Sequence, residues 1–168
     1  NSMNFYEHML VEKKDKSIWL LQRNVQESFS HDKGKTWTPL DTLPQFKSAN
    51  SRVYIGRLQS GNLLLIYNQD NAQKMRKDLT AYLSEDDGKT WPHKLLIDER
   101  DSVSYPDVAQ NSQGLIYITY DRSRGGEKEI LIATLTEQDL KKGDFVSERA
   151  RKKVLISKST NPFRKKED

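Results

Sequence analysis

One eight-residue motif, Ser-x-Asp-x-Gly-x-Thr-Trp, occurs twice in the chain, starting at Ser30 and at Ser84, 54 residues later. Its residue types suit a hairpin turn. Asp can accept hydrogen bonds from backbone amides a few residues on, Gly can adopt a positive φ, and Trp covers the turn with apolar surface. A spacing of this size matches a unit of four short strands, so the sequence predicts a repeat architecture.

Strand-like segments recur around the two copies of this turn motif in three successive units. The third unit lacks the motif and carries instead a predicted helical turn over 136–141, with Thr136 as its N-cap. The strands are predicted at 5–11, 17–23, 26–30 and about 38–40, at 52–58, 63–67, 79–84 and 94–97, and at 108–110, 115–120, 130–135 and 153–156.

Units of this length with about four antiparallel strands have the content of propeller blades. The predicted fold is therefore all-β, a partial β-propeller of about three blades at 4–46, 50–98 and 104–157. These blades form a segment at 1–157, and 158–168 is a basic C-terminal tail. Typical propellers have at least four blades, so three blades are expected to leave faces that need a partner.

Composition narrows the classes of function. Apolar residues make up 35% of the chain and charged residues 31%, as expected for half-polar strands. The chain contains no apolar run of 18 residues, so no membrane span is expected. Without cysteine there is no disulfide or thiolate metal site, and the three histidines are scattered, so neither a metal nor another cofactor is expected. No signal peptide is visible after Asn1-Ser2-Met3, which leaves bacterial secreted, periplasmic and cytoplasmic locations open.

The formal net charge of +4 comes from the C-terminus. Residues 149–168 hold eight of the 28 basic residues and two of the 24 acidic ones, which leaves 20 basic against 22 acidic in the rest. Because no aromatic-rich basic surface accompanies this tail, nucleic-acid binding is not expected.

Strand direction brings the candidate chemistry to one end of the blades. If each first strand runs down from a top end, the turn motifs follow the third strands at the bottom. Polar residues at the starts of first strands, the ends of second strands and the approaches to third strands then share the top. They are Glu7, Arg52, Tyr105, Arg23, Asp121 and Arg76.

The turn motif resembles the Asp-box, or bacterial neuraminidase repeat, of the sialidase superfamily. In that family three Arg hold the sugar carboxylate, a Tyr is the nucleophile paired with a Glu, and an Asp is the acid/base. Tyr105, in Val-Ser-Tyr-Pro-Asp, resembles the nucleophile, and Glu7, in Glu-His-Met-Leu-Val-Glu, resembles its partner. Arg23, which ends Ile-Trp-Leu-Leu-Gln-Arg, resembles the second triad Arg.

Two more positions follow the same resemblance, which covers about residues 4–146. Arg76 precedes the strand before the second motif, as the third triad Arg does, and Asp121 stands where the family often has a Glu that braces the first triad Arg. Arg52 matches no triad position and is a candidate substrate contact. Arg122 and Arg124 are interpreted as charged residues of a loop without a role in the site. The first triad Arg and the acid/base Asp belong to the family's N-terminal half, for which this chain has no matching blades.

A tyrosine nucleophile is chemically sensible for a sugar that carries a carboxylate at its reacting carbon, because a carboxylate nucleophile would be repelled. The resemblance therefore implies an exo-acting, retaining glycoside hydrolase of terminal acidic sugars, with sialic acid as the expected sugar. The chain alone is expected to be inactive. Its expected partners are an acidic glycan and either a missing N-terminal half or a second copy of itself.

Other readings stay open. Pro106-Asp107 follows Tyr105 where the family usually has small polar residues, which leaves the sugar undecided. A hydrolase or lyase of uronic-acid glycans would use the same Arg-rich end. A non-catalytic carbohydrate-binding or interaction segment would use Tyr105 and the arginines only to hold a ligand.

Overall fold

A computed structural model describes residues 6–43, 45–47, 49–69 and 75–159. In these ranges the chain forms three four-stranded antiparallel sheets and one short helix, which confirms the predicted fold class. The first sheet contains β1 (His8–Glu12), β2 (Ile18–Gln22), β3 (Gln26–Ser30) and β4 (Asp41–Thr42). The second contains β5 (Tyr54–Arg57), β6 (Leu63–Asn68), β7 (Leu79–Ser84) and β8 (His93–Asp98). The third contains β9 (Val103–Gln110), β10 (Ile116–Arg122), β11 (Glu129–Leu135) and β12 (Arg151–Lys158), with α1 (Glu137–Lys142) between its last two strands.

Each sheet is a meander in which sequence neighbours pair, so it has the order of a propeller blade. Phe5, the first residue of the strand predicted at 5–11, lies outside the described residues, as does most of the predicted C-terminal tail. The division into a segment at 1–157 and a tail at 158–168 stays a prediction. Helix α1 begins after Thr136, the expected N-cap, whose backbone N–H donates to the Asp139 carboxylate at 2.7 Å. Among the described residues, no helix is long and apolar enough to cross a membrane.

Two strand predictions were wrong in detail. β4 starts at Asp41 and not near Thr38, because the Phe29 N–H donates to the Thr38 side-chain oxygen at 3.0 Å and not to a backbone carbonyl. A regular ladder therefore does not begin at Thr38. β9 starts at Val103, five residues earlier than predicted, and runs through Pro106. Proline is tolerated there because β9 lies at the edge of its sheet.

The core lies in two layers on either side of the second sheet. One apolar cluster fills the space between the first and second sheets, and the other fills the space between the second and third. The run Leu63–Ile66 is fully buried because alternate side chains enter the two layers. Each such side chain contributes about 1.5–3 kcal/mol of transfer free energy, so this apolar strand fixes the stacking of the sheets.

Both turn motifs fold in the same way. In the first, the Asp32 carboxylate accepts from the Thr36 backbone N–H at 2.9 Å and from its hydroxyl at 2.6 Å. The second repeats these bonds between Asp86 and Thr90 at 2.8 and 2.6 Å. Hydrogen bonding, first from the threonine hydroxyl, lowers the pKa of each carboxyl to about 2. Each carboxylate closes its hairpin, and both hairpins lie at the ends of third strands.

Candidate active site

Glu7, Arg23 and Tyr105 come from three distant points of the sequence and form one hydrogen-bonded cluster. The Tyr105 hydroxyl donates to Glu7 Oε1 at 2.6 Å. Arg23 makes a two-pronged contact with the same carboxylate, from Nη2 to Oε1 at 2.5 Å and from Nε to Oε2 at 2.7 Å. Its Nη2 also donates to the Tyr105 hydroxyl oxygen at 2.7 Å. This Glu–Arg–Tyr cluster joins the first sheet to the third.

Topology explains why the three meet. Glu7 precedes β1, Arg23 follows β2, and Tyr105 lies near the start of β9. The Arg23 backbone N–H also donates to the Glu7 carbonyl at 3.0 Å, which continues the β1–β2 ladder to the residues of the cluster. The two turn motifs follow β3 and β7, at the opposite ends of their sheets.

The cluster keeps Glu7 ionised. The hydrogen bond from Tyr105, followed by that from Arg23, lowers the pKa of Glu7 from 4.5 to about 2 against the opposing effect of burial. Burial lowers the pKa of Arg23, but the contacts with Glu7 and Tyr105 outweigh it and the net change is upward. At neutral pH the resting pair is therefore a carboxylate and a guanidinium, so Glu7 can accept the phenol proton and has no proton of its own to donate.

The backbone at Tyr105 is unusual. Its φ is +58°, a conformation that bulky residues rarely adopt. In the β9–β10 pairing, Ser104 faces Asp121 and Asp107 faces Thr119, so two residues of β9 stand against Tyr120 alone. Such a β-bulge changes the direction of a side chain. Here the strained residue is the one whose hydroxyl reaches Glu7, which is how strain is commonly placed at functional sites.

An open cavity of about 660 Å³ lies over the cluster, lined by Tyr6, Glu7, His8, Arg23, Arg52 and Tyr105. Arg52, one of these lining residues, also contacts the Met9 sulfur through Nη2 at 3.8 Å. The cavity is large enough for a sugar ring, and its lining combines aromatic faces with guanidinium groups. Arg–carboxylate contacts and ring stacking are both available to a ligand there.

Arg76 approaches the cluster from the second sheet. Its Nε donates to the Asn50 carbonyl at 3.0 Å, and its guanidinium carbon lies 5.4 Å from the centroid of the Tyr105 ring. The Asn50 side chain also accepts from Arg23 Nη1 at 3.3 Å. Asn50 therefore links two of the three arginines that the sequence assigned to ligand binding, Arg23 and Arg76, although nothing in its own sequence context indicated this role.

Asp121 holds neighbours of the cluster. One carboxylate oxygen accepts from the Ser104 hydroxyl at 2.6 Å, and the other accepts from Arg124 Nε. The guanidinium of Arg124 lies 3.7 Å from the centroid of the Tyr105 ring. The interpretation of Arg124 as a loop charge missed this contact, and its place in the Gly-rich loop gave no signal of it.

The sequence analysis also did not identify Tyr6 as part of the site. The guanidinium carbon of Arg23 lies 5.5 Å from the centroid of the Tyr6 ring. The position of Tyr6 beside Glu7 in the sequence was the one available signal. Four guanidinium groups and two carboxylates surround Tyr105 and the cavity, so this end favours an anionic ligand. The guanidinium groups are those of Arg23, Arg52, Arg76 and Arg124, and the carboxylates are those of Glu7 and Asp121. In the described part of the chain, no group of three or more His, Cys, Asp or Glu side chains could hold a metal ion.

Repeated Asp-centred hairpins on stacked four-stranded sheets, with a polar cluster at the opposite end, define a protein of the propeller class. Residues 6–118 match the family described as BNR repeat-like domain. The chain belongs to this family, within the sialidase superfamily, and has a glycoside hydrolase-like fold.

Known proteins resemble the chain over part of their length. A curated sialidase from Bacteroides fragilis (strain YCH46) is 29% identical over 127 residues, which cover 71% of this chain and 22% of the relative. A solved sialidase structure matches with a TM-score of 0.64 at 21% identity, over 79% of this chain and 13% of that one. An α-L-arabinofuranosidase structure from Fusarium graminearum also matches with a TM-score of 0.64, at 17% identity, over 96% of this chain and 51% of that one. The chain thus spans about a fifth of the curated sialidase and half of the arabinofuranosidase.

Proposed function

We propose that this chain is part of a sialidase-like glycoside hydrolase that removes terminal acidic sugars, with sialic acid as the expected substrate and with retention of configuration. The observation that carries the proposal is the 2.6 Å hydrogen bond from the Tyr105 hydroxyl to an ionised Glu7. A nucleophile beside a base that is oriented by a third group is the usual arrangement for covalent catalysis. In this proposal Tyr105 is the nucleophile and Glu7 its base. Arg23 orients both and, with Arg76, is proposed to hold the sugar carboxylate.

The reaction has two displacements. In the first, the Tyr105 proton passes to Glu7 Oε1 while the phenol oxygen forms a bond to the anomeric carbon. The glycosidic carbon–oxygen bond breaks, and the leaving oxygen takes a proton from an acid outside this cavity lining. In the second, a water oxygen displaces the tyrosine oxygen, which regains its proton from Glu7. The remaining water proton restores the acid.

The arginines suit the acidic end of the sugar. Arg76 lies beside Tyr105, and Arg52 lines the same cavity. Guanidinium groups bind a carboxylate with defined geometry and keep their charge at every physiological pH. The name of the B. fragilis relative supports an acidic sugar, and Asp121 is proposed as a supporting residue that acts through Ser104 and Arg124.

The test replaces Tyr105 with Phe in a longer protein that contains this chain and the remaining blades. Hydrolysis of a fluorogenic sialoside should fall by at least 100-fold, because the nucleophilic oxygen is lost while the ring is kept. Binding of free sialic acid, followed by calorimetry, should change less than threefold. Tyr117→Phe is the matched control, since the Tyr117 hydroxyl accepts from Asn111 in the turn between β9 and β10, and it should leave both values unchanged.

Each alternative gives a different result in the same experiment. A protein that only binds glycans would keep its measured function in Tyr105→Phe. An enzyme of uronic-acid glycans would bind glucuronate and not sialic acid.

A further inference from the structure

Arg124 has the shortest of the guanidinium contacts to the Tyr105 ring. Its guanidinium carbon lies 3.7 Å from the ring centroid, against 5.4 Å for Arg76 and 5.9 Å for Arg23. A separation of 3.7 Å is direct stacking of a planar cation on an aromatic face.

The stacked position of Arg124 is held from both sides. Arg124 Nε donates to Asp121, and the second oxygen of Asp121 accepts from the hydroxyl of Ser104, the residue before Tyr105. The loop itself is closed by backbone bonds from Gly126 and Lys128 to the Ser123 carbonyl at 2.9 and 2.8 Å. The Ser123 N–H donates to the Ser102 carbonyl at 3.0 Å, which ties the loop to the start of β9.

Charge development on Tyr105 gives this contact a chemical consequence. When the phenol proton passes to Glu7, negative charge appears on the phenol oxygen and spreads into the ring. A cation fixed over that ring stabilises the charged form more than the neutral one, since its attraction to a neutral ring is weaker. Burial lowers the pKa of Arg124, but the contacts with Asp121 and Tyr105 outweigh it, so Arg124 stays a cation.

We propose that Arg124 is a positioning residue for Tyr105, which holds the phenol ring against Glu7 and stabilises the phenolate formed when the Tyr105 proton passes to Glu7. Asp121 and Ser104 form the support that keeps Arg124 in place. This inference rests on the proposed function for its purpose, but the stabilisation of the phenolate belongs to the free chain and can be measured without a sugar.

The test is the rate of nitration of Tyr105 by tetranitromethane at pH 8, since this reagent attacks the phenolate. Nitrated peptides are quantified by mass spectrometry, and Tyr117 in the same molecule is the internal reference. Arg124→Met keeps a long side chain over the ring and removes the charge. We expect it to lower the nitration rate of Tyr105 about fivefold or more, while Arg124→Lys stays within about twofold of the unmodified chain.

Arg122→Met is the matched control, because Arg122 pairs with Glu129 of the neighbouring strand β11 at 2.9 Å. It should leave the nitration rate of Tyr105 unchanged.

Asp121→Asn tests independently whether Asp121 keeps Arg124 in place. Like Arg124→Met, it should lower the nitration rate of Tyr105. An unchanged or faster rate at Tyr105 in Arg124→Met, with Tyr117 unaltered, would overturn the inference. If Arg124→Met does not fold, Arg124→Lys and Asp121→Asn decide it, since the inference requires the first to stay near the original rate and the second to fall.

The outcome is separate from that of the proposed function. A charge-dependent nitration rate without sialoside hydrolysis by the longer protein would uphold the role of Arg124 and reject the sialidase. Hydrolysis that depends on Tyr105, with nitration insensitive to the charge at position 124, would do the reverse.

Discussion

Glu7 is the residue on which the polar cluster depends, because both Tyr105 and Arg23 donate to its carboxylate. Its side chain is 39% exposed, whereas that of Arg23 is 12% exposed. Solvent therefore screens the ion pair from one side, and its contribution to folding is closer to that of a surface pair than to that of a buried one. The contribution of this ion pair to stability depends on pH through the ionisation of Glu7.

Glu7→Gln should lower the free energy of unfolding by about 1 kcal/mol at pH 7, as expected for a partly exposed ion pair. Because the folded-state pKa is lowered from 4.5 to about 2, the contribution is complete above pH 4.5 and disappears as the pH falls towards 2. Urea unfolding at pH 7, 4 and 3 should therefore show a shrinking difference between the two proteins. Glu148→Gln is the control, since Glu148 is exposed. A difference that stays constant across this range would contradict the prediction.

Residue types and strand order were enough to bring Glu7, Arg23 and Tyr105 to one end, since each lies at a defined point of a strand. The contacts of Arg124 were not predictable in the same way. They depend on a loop that folds back over β9 and on the positive φ of Tyr105, and neither leaves a periodic signal. A resemblance suggested a bracing role for Asp121, but it could not say that the partner in this chain is Arg124.

At the scale of elements, the two turn motifs share their hydrogen bonds but differ in their surroundings. Gly34 and Gly88 both have φ of +88°. A Cβ at Gly34 would come no closer than 3.9 Å to Ile18, whereas one at Gly88 would lie 2.8 Å from the Trp19 ring. The second hairpin is thus packed against the first sheet, and the first hairpin is not packed as tightly.

This difference predicts unequal costs for the same substitution. Gly34→Ala should cost about 1 kcal/mol, the usual penalty for a left-handed backbone at a residue with a Cβ. Gly88→Ala carries the same penalty plus about 1–3 kcal/mol for overpacking against Trp19, which is 2% exposed. Urea unfolding of the two variants measures both costs. Equal costs would mean that the ring of Trp19 moves aside freely.

Strand prediction succeeded where apolar residues recur in long runs and was less accurate where the chain pairs through side chains or bulges. β7 has the bounds that its pattern predicted, Leu79–Ser84. β4 was displaced because a threonine hydroxyl replaces a backbone acceptor next to it. β9 is longer than the strand predicted at 108–110, because it starts at Val103. Only its edge position allows β9 to continue through Pro106.

In the whole molecule, Asp87 connects the first two sheets at the end opposite the cavity. Its carboxylate accepts from the Lys14 backbone N–H at 2.9 Å and from Arg57 Nη2 at 2.6 Å, and the same Nη2 donates to the Glu12 carbonyl. The Glu–Arg–Tyr cluster joins the first and third sheets at the other end. Polar contacts therefore join the sheets at both ends of the stack. Apolar side chains on β1 and β12 stay exposed, with 52% of Leu10 and 54% of Ile156 accessible to solvent. The prediction that a missing N-terminal half or a second copy of the chain covers these exposed side chains stays a prediction.

The proton balance of the cavity gives the last prediction, that this chain alone does not hydrolyse a fluorogenic sialoside at a measurable rate. Glycoside cleavage needs an acid for the leaving oxygen. Among the residues that line the described cavity, Glu7 is the one carboxyl group, and its pKa of about 2 keeps it deprotonated at neutral pH. The residues that line this cavity can therefore hold a nucleophile and its base, but they do not supply the acid.

The assay is release of methylumbelliferone from its sialoside by monomer isolated at a verified solution mass, with Tyr105→Phe as the control for contaminating enzyme. Binding of sialic acid to the same preparation, measured by calorimetry, should persist because it requires the arginines and not the acid. Release above the Tyr105→Phe background would contradict the prediction and would mean that another group in the chain delivers the proton. Binding without release would agree with the prediction that the acid belongs to further blades, and adding such blades should then restore hydrolysis.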